Sequence, residues 1–426
     1  MKKIIRVFEH QTLKVNRDAD FSQSDLEALQ HYYGEKGVPY YTLIHHGVRF
    51  NQYVGVIQVG NLMIEVLPKL DKPSGYDSES NKTVWLKILI DMLLLTTSIE
   101  AKITSTADLN LKANSILDVY FALFVKEVES LLHQGLIKQY HNQQDNIPRL
   151  KGRLNLTKHI AYNHTHKERF FVEYTVYDTH NIYNQIIYKT LKLLSQLNHN
   201  PHLTSRINTI LFNFPEMMDC YVDDMTFNKI RYHRKNHAYQ PALMIAKLLL
   251  LNYHPDVTKG CNSVLSLMFD MNQLWEKFVL VSLQRCNKHP NLQIKAQLPS
   301  LFWQSSTDGN HRTTIKADIV IHHHDLKNTY QFVVDTKWKC PNYLKPSSAD
   351  LHQLHTYHYY YGADKVALFY PSSSIKKNID GCYINTEQDP NKICSLLFLH
   401  ITENNYNIRE WQEHIYQKIV TWCGIQ

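Results

Sequence analysis

The sequence predicts a multidomain α/β protein: a β-rich N-terminal domain, a helical connector, and a C-terminal domain with a central mixed sheet flanked by helices. Three observations lead there. The first seventy residues carry short apolar runs punctuated by turn residues, and the middle of the chain carries apolar positions at three- and four-residue steps. The last third alternates helical and strand-like segments in the order α, β, β, β, α, β. A chain of 426 residues can hold two or three domains, and the boundaries are placed at 1–82, 83–262 and 263–426.

Residues 2–10 form the first strand-like run, with a return at 11–15, and runs at 48–53, 54–59 and 62–67 follow. Gly60-Asn61 between the last two is a hairpin turn pair. Residues 69–82 hold Pro73, Ser74, Gly75, Ser78 and Ser80 without periodicity and read as an exposed loop, the first linker. From Thr83 the period changes. Trp85, Ile88, Leu89, Met92 and Leu93, then Ile116, Val119, Tyr120, Leu123, Phe124, Val128 and Leu131, mark the inward stripes of helices. Further amphipathic helices are expected at 182–197, 203–212 and 241–251. Two basic segments interrupt this region, Arg149-Leu150-Lys151-Gly152-Arg153-Leu154 and the stretch from Arg231 to His237.

In the last third, a helix at 270–286 precedes strands at 293–297, 315–322 and 330–337. A second helix at 349–361 leads into an apolar strand at 365–370 that Pro371 stops. Asp335-Thr336-Lys337 ends the apolar run Phe332-Val333-Val334. Strand alternation sends Asp335 and Lys337 to one side and Phe332, Val334 and Trp338 to the other. In the preceding strand Ile315, Ala317, Ile319 and Ile321 share one face and Asp318 takes the opposite one. If the two strands are neighbours, the acids converge beside a lysine. Hard oxygen ligands with a cation close by suit Mg²⁺-dependent attack on a phosphodiester. Glu276, on the helix ahead, lies at the margin of the packed face of Trp275, Phe278 and Val279, where it can add a carboxylate or act as a base. Gln353 and Tyr357 are four apart and share a helix face that can point at the same place. Ser347 and Asp350 have the spacing of a helix start.

Bulk composition excludes several classes. Hydrophobic residues at 44% and charged residues at 20% describe an ordinary globular mixture, so long disorder is not expected. Lys and Arg exceed Asp and Glu by 46 to 39, which permits a polyanionic partner without demonstrating one. The seven cysteines are scattered and never form C-x-x-C, so neither a disulfide framework nor a zinc site is signalled and a reducing cytoplasm fits best. The Lys-Lys start has no apolar run behind it, and the greasy stretch around Leu248 to Leu251 is too short to span a bilayer, so neither export nor a membrane partner is expected. The chain has no G-x-x-x-x-G-K-[ST] segment and no helix-turn-helix or zinc finger. Motor and base-reading functions are therefore expected elsewhere.

Asp318, then Asp335-Thr336-Lys337, framed by Glu276 ahead and Gln353-x-x-x-Tyr357 behind, resembles the PD-(D/E)XK nuclease superfamily in its branch with a Q-x-x-x-Y helix. Ile64-Glu65-Val66-Leu67-Pro68-Lys69, Leu150-Lys151-Gly152-Arg153-Leu154 and Val334-Asp335-Thr336-Lys337-Trp338-Lys339 are together similar to McrC, the nuclease subunit family of McrBC modification-dependent restriction systems. The resemblance runs from about residue 40 to about residue 375. It departs at Ala317, which stands where the family name has proline, and in the length of the middle region and of residues 376–426, whose contribution it leaves open. What it implies is a PD-(D/E)XK-like C-terminal domain that hydrolyses double-stranded DNA. Asp318 and Asp335 would hold Mg²⁺, or Mn²⁺, with the main-chain carbonyl of Thr336, and Glu276 would bind a second ion or a water. Lys337 would orient or deprotonate the attacking water, and Gln353 and Tyr357 would position the phosphate. The implied partner is an McrB-type AAA+ GTPase that recognises modified cytosine such as 5-methylcytosine, with the N-terminal domain docking on it and stimulating GTP hydrolysis in phage defence.

Bland readings stand beside these. A lone D-x-K at a strand end is ordinarily a surface ion pair, and Glu276, Gln353 and Tyr357 taken singly are ordinary polar positions. Their order along the chain is what joins them. His322-His323-His324 reads as solvated loop histidines rather than a metal site, and Tyr357 to Tyr361 as core and rim packing. Lys151-Gly152-Arg153 and the Arg231 segment are open between surface turns and phosphate or partner contacts. The competing functions are a non-catalytic activator or scaffold of the GTPase, and a stand-alone repair-type nuclease.

Overall fold

The computed structural model describes residues 3–15, 17–35, 37–70, 78–96, 115–254, 263–306, 311–325, 328–339, 341, 344–384, 392–401 and 407–425. The chain makes two units, one of residues 1–104 with 256–426 and one of residues 105–255. The first unit begins with β1 (Lys3–Phe8), β2 (Thr12–Lys14), α1 (Gln23–Tyr33), β3 (Tyr41–Ile44), β4 (Gly47–Phe50), β5 (Tyr53–Val59), β6 (Leu62–Leu67) and α2 (Glu79–Thr96). The β5–β6 hairpin closes on Gly60-Asn61 as its turn chemistry predicts, with Val59 opposite Leu62 and Gly60 at φ 56°. The expected return of residues 11–15 on β1 is corrected: β1 pairs parallel with β6, and β2 pairs with β4. Helix α1 and strand β3 were not legible. Only Leu26 and Leu29 of α1 are buried, too few to show a period, and a Ser22–Asp25 capping box starts the helix. Val7, Tyr41, Phe50, Ile57, Ile64 and Val66 belong to the core of this part. Residues 71–77 of the expected loop lie outside the described residues, and α2 starts at Glu79, ahead of the expected Thr83.

The second unit holds α3 (Ile116–Gln134), β7 (Gln139–Ile147), β8 (Arg153–Leu154), α4 (Leu156–Asn163), β9 (Phe170–Asp178), α5 (Ile182–Leu197), α6 (Pro201–Asn213), α7 (Asp224–Asn228), α8 (Gln240–Leu251) and the two-residue β10 (Tyr253–His254). Helices α3, α5, α6 and α8 fall where the apolar stripes predict and pack on one another. The three-stranded sheet β7-β9-β8 is a difference from the sequence reading. Strand β7 reads Gln-Tyr-His-Asn-Gln-Gln-Asp-Asn-Ile, so it has no apolar alternation to betray it. Gly152, at φ 71°, explains the Lys-Gly-Arg segment: a Cβ there would lie 2.4 Å from the Glu173 carbonyl oxygen, so only glycine lets the chain enter β8 against β9.

The first unit resumes with β11 (Val264–Asp270), α9 (Met271–Cys286), β12 (Leu292–Gln304), β13 (Arg312–His324), β14 (Thr329–Thr336), α10 (Ser348–Tyr360), β15 (Lys365–Ser372), β16 (Ile379–Cys382), β17 (Ile393–His400) and α11 (Ile408–Cys423). Strand β11 returns to the N-terminal sheet and pairs antiparallel with β5. Gly55 makes the pairing possible, since a Cβ there would sit 2.1 Å from the Leu267 carbonyl oxygen. The second sheet has the order β12-β13-β14-β15-β17-β16 and is mixed, with β14, β15 and β17 parallel. The run α9, β12, β13, β14, α10, β15 reproduces the predicted α, β, β, β, α, β. Pro371 does not stop β15, which continues to Ser372 beside His400 of β17. The C-terminal stretch whose contribution was open supplies β16, β17 and α11.

Helices cover both faces of this sheet. On one, Leu354, Tyr357 and Tyr361 pack with Val320, Val333, Val366 and Leu368. On the other, Trp275 of α9 stacks on Phe369 with ring centres 6.0 Å apart, and Trp422 of α11 meets Phe332 edge-on at 5.9 Å. Burying such aromatics stabilises by about 1.5–3 kcal/mol each. Among the described residues, no helix is long and apolar enough to cross a membrane.

Candidate active site

The site forms where β13 and β14 stop pairing. Their register ends at Ile319 opposite Val334, so Asp318 and Asp335 sit together just past the last paired residues. Strand β14 continues on its other edge, with Asp335 beside Leu368 and the Lys337 N–H donating to the Phe369 carbonyl at 3.0 Å. The N–H of Thr336, released from the β13 ladder, donates to Asp318 Oδ2 at 2.8 Å, and the Thr336 hydroxyl lies 3.1 Å from the same oxygen. A missing strand bond thus becomes the clamp that turns Asp318 toward Asp335.

The expected alternation in β13 does not hold through this point. Ala317 and Ile315 pack in the same cluster as Val320 and Val333, instead of sharing a face with Ile319 and Ile321. Asp318 lies level with Gln297 of β12, whose φ of 43° marks a local break in regular strand geometry. The distortion points Asp318 into the site and releases Gln297 to donate to Glu276 Oε1 at 2.9 Å.

Asp335 is only 1% exposed. Its Oδ2 lies 2.9 Å from Lys337 Nζ in an ion pair, and its Oδ1 accepts nothing. Lys337 Nζ also meets Asp350 Oδ1 at 3.3 Å and donates to Gln353 Oε1 at 3.2 Å. The Gln353 amide donates to the Tyr357 hydroxyl at 2.7 Å, and that hydroxyl donates to the Lys316 carbonyl at 2.9 Å, two residues before Asp318. The chain of bonds runs from one acid-bearing strand, through the helix, to the other. Ser347 caps α10 by accepting from Asp350 N at 3.1 Å, which fixes where the Gln353–Tyr357 face begins.

Electrostatics follow from burial. Desolvation, then the charge of Asp318, pushes the Asp335 carboxyl up to about 7, with Lys337 pulling it back. Asp318 is raised by burial against the opposing Thr336 bonds and Lys337. Glu276 is raised by burial and then by Asp318, which places it within electrostatic reach of the acids. Burial acts to lower Lys337, but Asp335, Asp350 and Asp318 together outweigh it and the net shift is upward, so this lysine is an ammonium at neutral pH.

All six sequence-predicted side chains, Asp318, Asp335, Lys337, Glu276, Gln353 and Tyr357, are therefore gathered with Thr336 where β13 and β14 part. Two further residues were missed, Asp350 as a contributor and Glu9 as a structural tie to the strand end. Asp350 was read only as part of a helix start, yet its second oxygen reaches Lys337. Glu9, on the N-terminal strand side, accepts from Trp338 Nε1 at 2.6 Å and from Lys69 N at 2.8 Å. No local pattern announces Glu9, because its partners lie 60 and 329 positions away. His322, His323 and His324 are corrected from loop to strand: they end β13, with the His322 and His324 rings stacked at 6.4 Å.

A divalent cation can be tested against these groups. Among the described residues, no three His, Cys, Asp or Glu side chains form a cluster able to hold a metal ion. The donor set is leaner: two acids side by side, one with an oxygen accepting nothing. All donors are hard oxygens, which suits Mg²⁺ or Mn²⁺, since Mg²⁺ keeps most of its water and takes one or two carboxylates. The residues fit such an ion.

Fold and site together define the class: a mixed α/β protein that sets an acid pair and a lysine where two inner strands of a helix-covered sheet part. A family model described as "McrBC 5-methylcytosine restriction system component" matches residues 48–371, most of the chain, and the chain belongs to that family. Among solved structures it is similar to the half-complex from a tetradecameric assembly of Thermococcus gammatolerans McrB AAA+ hexamers with bound McrC. That likeness has 16% identity and a TM-score of 0.68, covering 98% of this chain and 100% of the other. A second, the cryo-EM structure of the Thermococcus gammatolerans McrBC complex, has 18% identity and a TM-score of 0.47, covering 68% of this chain and 89% of the other. No curated protein matches.

Proposed function

We propose that this chain is the nuclease subunit of an McrBC-type modification-dependent restriction system, acting in the cytoplasm. In this reading, residues 263–426 form a PD-(D/E)XK-like nuclease domain that cleaves double-stranded DNA. Residues 1–82 dock on an McrB-type AAA+ GTPase that recognises modified cytosine and stimulate its GTP hydrolysis, and residues 83–262 connect the two. Family membership supports the system, and the McrB-bound neighbour supports the partner.

The observation that carries the nuclease reading is Asp335. A carboxylate is buried beside a second acid and a lysine, with one oxygen left without a donor. Burial of this kind is costly unless function compensates it. Asp318 and Asp335, with the Thr336 carbonyl, would hold Mg²⁺ or Mn²⁺, and Glu276 would hold a second ion or a water. When bound, the ion supplies Lewis-acid polarisation of the phosphate and a lowered pKa for a bound water. Lys337 stays an ammonium, so it stabilises charge on the attacked phosphate and orients the water rather than removing its proton. Glu276, with its raised pKa and partial burial, is the better proton acceptor. Gln353 and Asp350 hold the lysine, and Tyr357 ties the helix to the Asp318 strand.

The test is plasmid cleavage by the chain with its GTPase partner, comparing wild type with Asp335→Ala. Cutting lost by about a thousandfold with GTPase stimulation retained supports the reading. Unchanged cutting rejects the site.

A further inference from the structure

Strand β14 pairs with β13 only from Ile319 to His324, so residues 312–317 of β13 pair as a strand with β12 alone, while Tyr357 of α10 and Tyr361 at its end bond the backbone of Ile315, Lys316 and Ala317. They form a two-stranded ribbon that grows out of the sheet directly before Asp318. On it, Leu301, Phe302 and Trp303 are 49%, 44% and 54% exposed. All three stay exposed although the Tyr360 hydroxyl of α10 donates to the Phe302 carbonyl at 3.4 Å. The register shifts between Leu301 and Trp303, a bulge that re-aims these side chains. The Phe302 ring is braced by Tyr360, 5.0 Å away on α10. Lys316 and Arg312 are exposed on the ribbon, and none of its described residues is Asp or Glu.

An exposed apolar triplet on a folded protein calls for a partner. Resting on the nuclease reading above, we infer that this ribbon is a duplex-DNA grip, lying in a groove beside the scissile phosphate with Phe302 and Trp303 packed against bases. The dimensions agree. Trp303 pairs with Thr313, five residues before Asp318, or roughly 17 Å along the strand, while a major groove about 12 Å wide admits a two-stranded ribbon. The charge agrees too: among the described residues, a lysine and an arginine without acids on a surface continuous with a site for a polyanion fit nucleic acid better than another protein face. Apolar side chains inserted at base steps and aromatic stacking on bases are established ways of holding DNA.

The experiment uses the full chain with its GTPase partner. Binding to a short fluorescent duplex is read by anisotropy, beside cleavage and sedimentation, for wild type, the double variant Phe302→Ser with Trp303→Ser, and Asp335→Ala. The expected result is DNA binding weakened at least about tenfold by the ribbon variant, with GTPase stimulation intact and Asp335→Ala binding like wild type. Lys316→Ala should lower the salt dependence of binding by about one ion. Unchanged affinity in the ribbon variant overturns the inference, even if cutting falls. A ribbon variant that changes oligomeric state at unchanged DNA affinity also overturns it, and assigns the surface to a second copy. Asp335→Ala that still cuts removes the nuclease reading and leaves the binding result standing.

Discussion

Asp335 and Glu9 are both almost completely buried carboxyls that desolvation pushes up to about 7, yet their surroundings differ in kind. Glu9, beyond the end of β1, spends Oε1 on two donors, the Trp338 indole and the Lys69 N–H, while its Oε2, also without a donor, lies 3.7 Å from His10. Asp335 faces a like charge, one ammonium and no donor for its other oxygen. A perturbed pKa alone therefore does not distinguish a working acid from a structural tie. Nor does one unmet oxygen, which both acids have; a neighbouring acid that pushes strongly on its charge, with an ammonium in contact, does.

The comparison breaks most visibly in catalysis. Lys337→Met removes the one cation beside Asp335 and is expected to lower plasmid cutting by about a thousandfold, the scale of losing a key charge stabiliser. Glu9→Gln keeps the Oε1 acceptor and is expected to leave cutting within about threefold. If the two variants fell equally, Glu9 would belong to the chemistry and the contrast between tie and site would be lost.

Next in size is stability, where the order reverses. Glu9→Leu strands the Trp338 and Lys69 donors in the core and should cost about 2–4 kcal/mol. Glu9→Gln should cost less than about 1.5 kcal/mol, because one acceptor survives. Urea unfolding of the three proteins measures this. Equal losses for Leu and Gln would mean that the charge of Glu9, not its hydrogen bonding, is what the fold uses.

Both acids have folded-state pKa values above those of an unfolded chain, so both contribute stability that is full below about pH 4 and lost as pH rises through about 7. The metal-free protein should therefore melt at lower temperature at pH 8 than at pH 5. Mg²⁺ should restore only the Asp335 share, so added MgCl₂ should raise the melting temperature more at pH 8 than at pH 5. Asp335→Asn should abolish the magnesium effect and Glu9→Gln should preserve it. A magnesium shift that survives Asp335→Asn would place the ion elsewhere.

The same contrast shows what the sequence could tell. Asp335, Lys337, Gln353 and Tyr357 were legible because each lies on a short periodic element whose neighbours betray its face. Asp318 was legible in identity but not in mechanism: regular alternation was expected, and the site instead uses a break opposite Gln297. Glu9 was not legible, since its role exists only once three distant segments meet. Helix α1 and strand β7 were hidden for a related reason: one buries two leucines and the other is almost wholly polar, so neither carries the apolar repeat by which elements are recognised. The basic Lys-Gly-Arg segment was visible as composition, but the need for glycine appeared only when β9 was seen to approach it.

The smallest expected effect is at Tyr357, and it tests whether the helix is a clamp or a catalyst. Its hydroxyl accepts from Gln353 and donates to the Lys316 carbonyl, so it joins the lysine-holding face of α10 to the strand that carries Asp318. Tyr357→Phe deletes both bonds without emptying the buried ring position, and leaves the Lys316 carbonyl short of a donor, at a cost of about 1 kcal/mol. Because the hydroxyl touches neither acid, its loss should loosen the spacing between Asp318 and Lys337 without removing a reacting group. Cutting should fall by less than about tenfold, with the metal concentration for half-maximal activity rising more than the maximal rate falls. A drop as large as that of Lys337→Met, at unchanged metal dependence, would instead assign the phenol a direct part in the chemistry.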